Sequence, residues 1–131
     1  MHWIVRGILG LWALFFGWTG LQGLIAPDSY VPVLGIILGG EGTNTLRADL
    51  SSFFILSALC AGWSALRPGM FIWLLVPIGL FGLAFSGRVV GLMLGDAMGP
   101  LTQTSMLAEA VSVVLLATCA YYFSRLPAQY R

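Results

Sequence analysis

The sequence predicts an all-α integral membrane protein, a single antiparallel four-helix bundle with both termini in the cytoplasm. Three observations predict this fold class. Hydrophobic residues make up 59% of the chain and charged residues only 8%, against about 45–50% and about 25% in soluble domains. The apolar residues fall into four runs, each long enough to cross roughly 30 Å of hydrocarbon. The arginines and the acids are segregated between the two sides that four crossings define.

Four spans are predicted, and together they make residues 1–131 one transmembrane domain. Their approximate bounds are residues 3–25, 45–66, 70–94 and 104–123. The first run is longer than the apolar core of a signal peptide, which favours a retained helix. Between the first two spans, residues 31–38 are apolar but too short to cross the membrane. We expect that segment to lie at the interface or to re-enter the bilayer.

Proline, glycine and capping residues predict where the spans begin, end and bend. Thr45 is a good N-cap residue for the second span, and Gly39–Gly42 before it predict a flexible polar turn. Arg67–Gly69 predict a tight turn between the second and third spans, because the residue before a proline avoids helical backbone. Pro77 predicts a kink within the third span.

The distribution of charge predicts the orientation in the membrane. One side carries four arginines and no acid, namely Arg6, Arg67, Arg125 and Arg131. The other side carries all five acids and the two remaining arginines. Short loops rich in arginine face the cytoplasm, so both termini are expected there. The predicted location is the inner, cytoplasmic membrane of a bacterium, as a multi-pass protein.

Arg88 lies inside an apolar run, where an unpaired arginine costs about 2.5–3.5 kcal/mol. Asp49 and Glu109 lie at a similar depth, roughly 6–10 Å inside the outer ends of their helices at 1.5 Å per residue. Arg47 is two positions from Asp49 on one helix, so these two side chains do not face each other. We therefore expect pairing between helices, with Arg88 bridging Asp49 and Glu109.

The charge cluster consists of Arg47, Asp49, Arg88, Asp96 and Glu109. Within it, Arg47 is expected nearer the surface, against Glu41 or Asp96. One interpretation is an electrostatic clasp that holds the helices in register. Another is a polar pocket opening outward, in which Arg88 binds a lipid headgroup, a quinone or another anionic or carbonyl group; a proton path is a third. A clasp leaves no guanidinium donor free, whereas a pocket leaves donors facing a cavity.

Small residues recur at helical spacing in the first and third spans. Gly10 and Gly17 belong to a glycine and alanine stripe in the first span, and Gly87, Gly91 and Gly95 form a doubled G-x-x-x-G in the third. Such faces allow helices to approach closely in lipid. Together they exceed what one four-helix bundle obviously needs, which predicts contact with other membrane protein subunits. The alternative is that the bundle uses all of them internally.

No catalytic residue and no metal site is predicted. His2 is the only histidine and lies at the terminus, so the chain lacks a haem ligand pair, a zinc set and a base for a nucleophile. Cys60 and Cys119 fall inside spans and are expected to be buried packing residues. Six scattered arginines without a lysine exclude a nucleic-acid surface. No cofactor is expected beyond a lipid or quinone bound from the membrane.

Several residues in the last three spans resemble a known family. They are, in order, Asn44-x-x-Arg47-Ala48, Gly87-Arg88, Asp96, Pro100 and Glu109. This pattern resembles the four-helix bacterial membrane family called domain of unknown function 4345, which is similar in architecture to DoxX-like proteins. The sequence departs from the family pattern at Ser51-Ser52, Gly91 and Asp96. The family has no established activity, so the resemblance implies a fold and matching positions at Arg47, Arg88 and Glu109.

The sequence thus predicts a small non-catalytic membrane protein. The first expectation is an accessory or structural subunit that packs against a larger membrane complex of respiratory or photosynthetic type, in contact with membrane lipid. The alternative is a lipid- or quinone-binding protein with an outward-facing polar pocket around Arg88.

Overall fold

The computed structural model describes residues 2–30 and 39–127. This part of the chain is helical and contains no strand, which confirms the all-α class. Four helices are long and apolar enough to cross a membrane: α1 (His2–Ile25), α2 (Gly40–Leu66), α3 (Pro68–Met93) and α4 (Pro100–Ser124). A short 3₁₀ helix, Pro27–Tyr30, follows α1. The predicted interfacial segment, residues 31–38, lies outside the described residues.

α2 begins at Gly40, earlier than the predicted start at Thr45. Gly39 has extended backbone and precedes the first helical residue, while Thr45 lies inside the helix and donates its hydroxyl to the carbonyl of Glu41 at 3.1 Å. The predicted turn at Gly39–Gly42 is therefore mostly helix. Extending an existing helix adds one hydrogen bond per residue without a new nucleus, which offsets the roughly 1 kcal/mol that each glycine costs.

A π-helical turn at Leu46–Leu50 interrupts the α-helical geometry of α2. The wider turn changes the angle between the side chains before it and those after it. Arg47 and Asp49 both lie in this turn. A spacing of 3.6 residues per turn therefore does not predict which way these two side chains point.

The irregular backbone of α3 lies before Pro77, not at it. Residues Pro68–Leu74 are 3₁₀ helix, with Met70 at φ −96° and ψ 26°, and Leu75–Met93 are α-helix. Pro77 is thus in the first turn of the α-helical part, which continues directly from the 3₁₀ segment. The non-helical backbone lies at Met70 and not at Pro77, where the kink was predicted.

The connection between α3 and α4 is shorter than predicted. Gly95 has a φ of 98°, in the left-handed region that glycine adopts without strain and that often ends a helix. α4 begins at Pro100, whereas the predicted start was Thr104. Proline suits the first helical position because its missing N–H would be unpaired there anyway. Gly95 therefore serves the turn and is not part of a helix face.

α1 packs mainly on α2, and α3 packs mainly on α4. The close contacts between α1 and α2 are Gly17 with Ala58, Gly20 with Ile55, and Gly23 with Ser51. Near the N-terminus of α1, the Arg6 guanidinium donates hydrogen bonds to the carbonyls of Ala65 and Leu66, at 2.7 and 3.0 Å. From Arg6 to Gly23 along α1, the contacted residues of α2 therefore run in the opposite direction, from Leu66 back to Ser51.

An aromatic cluster joins three of the helices around Phe81, whose side chain is 2% exposed. Its ring centroid lies 4.9 Å from those of Phe16 and Phe53 and 5.4 Å from that of Trp12. The indole N–H of Trp12 donates to the hydroxyl of Ser112 at 3.1 Å, a buried link between α1 and α4. Three rings of this cluster, those of Phe16, Phe53 and Phe81, also line a cavity that Arg88 and Glu109 border.

Candidate functional site

Arg88 of α3 and Glu109 of α4 form an ion pair inside the bundle. The Arg88 Nε donates a hydrogen bond to Glu109 Oε1 at 2.8 Å, and the two side chains are 33% and 10% exposed. A hydrogen bond between charged groups is stronger than one between neutral groups. The apolar surroundings of Arg88 predict a pairing between helices, and its pairing with Glu109 is present in the structure.

The ion pair leaves hydrogen-bonding groups unused on both side chains. A guanidinium has five N–H donors, and only the Nε–H of Arg88 has a partner within residues 2–30 and 39–127. Glu109 Oε2 is buried and receives no hydrogen bond from the described residues. The site thus holds free donors beside an unsatisfied acceptor.

A cavity of about 440 Å³ lies beside the pair and is lined by all four helices. This volume is within the range of about 300–1,000 Å³ typical of small-molecule sites. The charged lining residues are Asp49, Arg88 and Glu109. The aromatic ones are Phe16, Tyr30, Phe53, Phe54 and Phe81, and the others are Thr19, Leu50, Ala84, Ser105 and Ala108. The cavity is therefore mostly apolar with one charged region, as ligand pockets commonly are.

Asp49 lines the cavity but does not pair with Arg88. No ion pair within 4.0 Å joins the two residues, so the predicted bridge is formed on the Glu109 side alone. The depth of Asp49 along α2 was predicted from its distance to the helix end. The direction in which its side chain points could not be predicted in this way, because Asp49 lies in the π-helical turn.

Arg47 and Asp96, the other two members of the charge cluster, are exposed and do not line this cavity. The pairing predicted for Arg47 is not formed, because no ion pair joins it to Glu41 or to Asp96. The Asp96 N–H instead donates to the carbonyl of Gly91 at 3.0 Å, and its carboxylate folds back over that glycine. The structure thus brings three of the five predicted residues together.

Tyr30 is a site residue that the sequence did not single out. It follows α1, is 6% exposed, and donates its hydroxyl to the carbonyl of Thr19. Burial raises the pKa of the Tyr30 phenol, and the nearby backbone of Gly23 acts more weakly in the opposite direction. The only sequence signal is Gly23 itself, because its missing side chain leaves the space that the Tyr30 ring occupies.

The aromatic lining was also not predicted. Phe16, Phe53, Phe54 and Phe81 belong to apolar runs in which nearly every position is hydrophobic. In such a run the residue type does not distinguish a side chain facing lipid from one facing the bundle interior. A polar residue such as Arg88 therefore locates the site, whereas the apolar walls require the three-dimensional structure.

The predicted packing glycines divide into used and unused positions. A methyl group placed on Gly17 would lie 3.3 Å from the Ala58 side chain, whereas one placed on Gly10 or Gly87 would have no neighbour within 4 Å among residues 2–30 and 39–127. The unused part of the α1 stripe lies in an apolar groove of about 940 Å³ between α1 and α2. The groove is lined, among others, by Trp3, Arg6, Gly7, Gly10, Leu14, Trp18, Gly62 and Leu66.

Together these features define an all-helical, multi-pass membrane protein with a charged cavity inside the bundle. The described residues contain no group of three or more His, Cys, Asp and Glu side chains placed to hold a metal ion. Comparisons with protein-family models, with curated proteins and with solved structures each gave no match.

Proposed function

We propose that this protein is a non-catalytic integral membrane protein that binds a small amphiphile from the bilayer, a lipid or a quinone, in the cavity beside Arg88. The supporting observation is that the Arg88 guanidinium donates its Nε–H to Glu109, while its terminal N–H groups have no partner among residues 2–30 and 39–127. A purely structural clasp would use these donors, because an unsatisfied polar group in the membrane is costly. Free donors beside an aromatic cavity favour a bound headgroup.

The shape of the cavity suits a ligand with one polar end. Most of its walls are aromatic or aliphatic, the charged residues are Asp49, Arg88 and Glu109, and Thr19 and Ser105 also line it. A polar head hydrogen-bonded to Arg88 would leave the apolar part of the ligand against Phe53 and Phe54. The acyl or isoprenoid tail would then remain in the surrounding lipid.

The proposed topology is an antiparallel bundle with both termini in the cytoplasm of a bacterium and the cavity toward the outer leaflet. The reversed order of contacts between α1 and α2 supports the antiparallel arrangement. Three arginines of the predicted cytoplasmic side stack on aromatic rings, as expected in an interfacial belt. These are Arg6 on Trp3, Arg67 on Trp63 and Arg125 on Tyr121, at 4.4, 5.1 and 5.3 Å.

Membership of the family called domain of unknown function 4345 is also a proposal. It is supported by the residues that carry the resemblance, of which Arg88 and Glu109 form the ion pair beside the cavity. The third matching position, Arg47, lies outside that cavity. We propose the family for the fold, and the ligand-binding role for the cavity independently of it.

Lipid analysis of the purified protein tests the binding function. The protein is extracted in mild detergent, and its bound small molecules are identified by mass spectrometry for the unaltered chain, Arg88→Ala and Arg47→Ala. Arg47→Ala is the matched control, because it removes an outer-side arginine that does not line the cavity. We expect one or more species to be retained by the unaltered chain and by Arg47→Ala and lost from Arg88→Ala. Identical profiles for all three proteins would reject the proposal.

A second candidate function, an accessory subunit of a larger membrane complex, is supported by a different surface. The apolar groove between α1 and α2 contains Gly7 and Gly10, and a methyl group placed on either glycine would have no atom of another described element within 4 Å. We expect Gly10→Leu to reduce copurification of a partner complex in mild detergent. Gly79→Leu is the control, since Gly79 is equally open but lies on α3 outside the groove. A monodisperse particle of the protein's own mass in native nanodiscs would contradict this role.

A further inference from the structure

We propose that the cavity selects an uncharged ligand head that carries both a hydrogen-bond acceptor and a hydroxyl donor, as a monoacylglycerol or a quinol does. An anionic phosphate or carboxylate head is disfavoured. The inference rests on the proposed binding function and names the class of ligand for the same cavity. Two independent features of the site lead to it, the balance of formal charges and the unsatisfied hydrogen-bonding groups.

The formal charges that line the cavity are unequal. Arg88 contributes one positive charge, and Asp49 and Glu109 contribute two negative ones, which leaves one negative charge in excess. The positive charge is already engaged by Glu109 at 2.8 Å. An anion beside Arg88 would therefore share the cavity with the buried carboxylate of Glu109 and the exposed carboxylate of Asp49, and both like charges would repel it. A neutral head avoids this repulsion.

The hydrogen-bonding groups of the site are unsatisfied in a complementary way. Within the described part of the chain, the terminal N–H groups of Arg88 lack an acceptor, and the buried Glu109 Oε2 lacks a donor. A carboxylate or phosphate dianion offers acceptors alone, and an ammonium offers donors alone. A hydroxyl next to a carbonyl or second hydroxyl provides both within one small group. Such a head would satisfy Arg88 and Glu109 together.

The test compares three probes of related apolar length on the full chain in detergent by native mass spectrometry. Monomyristoylglycerol has an uncharged head with hydroxyls and an ester carbonyl. An alkyl hydroquinone of matching chain length is also uncharged and offers hydroxyls on a ring. Myristate, used at alkaline pH where it is ionised, has the same acyl chain as the glycerol ester and an anionic head. Comparing the two uncharged probes shows whether the cavity prefers the head of a glycerolipid or that of a quinol.

We expect at least one uncharged probe to bind about tenfold or more tightly than myristate, because a satisfied hydrogen bond to a charged group has roughly that effect. Arg88→Ala should weaken this binding about tenfold, and Arg88→Lys should weaken it as well, since a single ammonium does not reproduce the guanidinium geometry. Arg47→Ala should leave it unchanged. Glu109→Gln should reduce the ratio of the affinity for the uncharged probe to the affinity for myristate by about tenfold, because it removes one negative charge and keeps the side-chain shape.

The outcomes separate the ligand class from the binding function. Tighter binding of myristate than of both uncharged probes, lost in Arg88→Ala, would overturn the uncharged class and leave the proposed function standing. A preference that Glu109→Gln does not change would also overturn it. If no probe bound in a way that depends on Arg88, both the ligand class and the proposed function would fail.

Discussion

At the scale of single residues, charge was the informative signal. Arg88 could be chosen from the sequence because an arginine in an apolar run must find a partner, and counting along the helices placed Glu109 at a matching depth. The counting did not determine direction, and so the equally deep Asp49 was wrongly expected to pair with Arg88. The π-helical turn that carries Asp49 has no obvious sequence signal.

The Arg88–Glu109 pair is expected to stabilise the fold, whereas Asp49 is not. Glu109→Gln and Arg88→Met should each lower the free energy of unfolding by about 1–3 kcal/mol, because each leaves a partly buried charge without its partner. The double variant should lose less than the sum, with a coupling of about 0.5–2 kcal/mol. Asp49→Asn is the control and should stay within about 0.5 kcal/mol. Reversible unfolding in mixed micelles measures all four, and additive single effects would contradict an energetic pair.

Tyr30 is expected to make stability depend on alkaline pH. Burial raises the pKa of its phenol above the ordinary value of 10.0, so the folded protein binds this proton more tightly than the unfolded chain does. The stability that comes from this difference is complete below pH 10.0 and is lost as pH rises through the folded pKa. The unfolding free energy of the unaltered protein should therefore fall more steeply above that pH than that of Tyr30→Phe. Equal slopes for the two proteins would refute the expectation.

At the scale of elements, the existence of the helices was predicted and their boundaries were not. Local propensity treats glycine and proline as helix breakers, and for that reason the sequence placed the starts of α2 and α4 too late. Gly40 extends a helix that already exists, and Pro100 begins one at the position where proline fits. The glycine patterns likewise identified small faces but not their neighbours. A doubled G-x-x-x-G indicates that another helix can approach this face closely. Whether a helix does pack there depends on the tertiary structure.

Two glycines of α1 should respond in opposite ways to the same substitution. A methyl group on Gly20 would lie 2.7 Å from the Ile55 side chain and 3.0 Å from backbone atoms of α2, whereas Gly10 faces open space. Gly20→Ala should therefore lower the free energy of unfolding by about 1–3 kcal/mol through overpacking. Gly10→Ala should leave it unchanged or raise it by up to about 1 kcal/mol, because alanine favours helix. Unfolding in mixed micelles measures both, and a similar cost at the two positions would contradict a close approach of α1 and α2 at Gly20.

At the scale of the whole molecule, composition was sufficient for the membrane class. Four apolar helices follow from four apolar runs, and the large aliphatic residues on their outer faces, such as Leu14 and Leu83, are exposed where lipid would contact them. The cavity could not be predicted in the same way. Its walls come from all four helices, and residues as far apart in the chain as Phe16 and Glu109 meet there. Only the packing of the helices brings them together.

The orientation of the whole bundle decides from which leaflet a ligand would enter the cavity. Asp28 and Arg67 are exposed at opposite predicted sides of the membrane. The two native cysteines are buried, at 6% and 4% exposure, so we expect labelling to come from an introduced cysteine only. With a membrane-impermeant maleimide, Asp28→Cys should be labelled in intact cells, and Arg67→Cys only after permeabilisation, because arginine-rich turns stay in the cytoplasm. The reverse pattern would place the cavity toward the cytoplasm. Arg88 would then meet lipids of the inner leaflet, and the candidate ligands would have to be sought there.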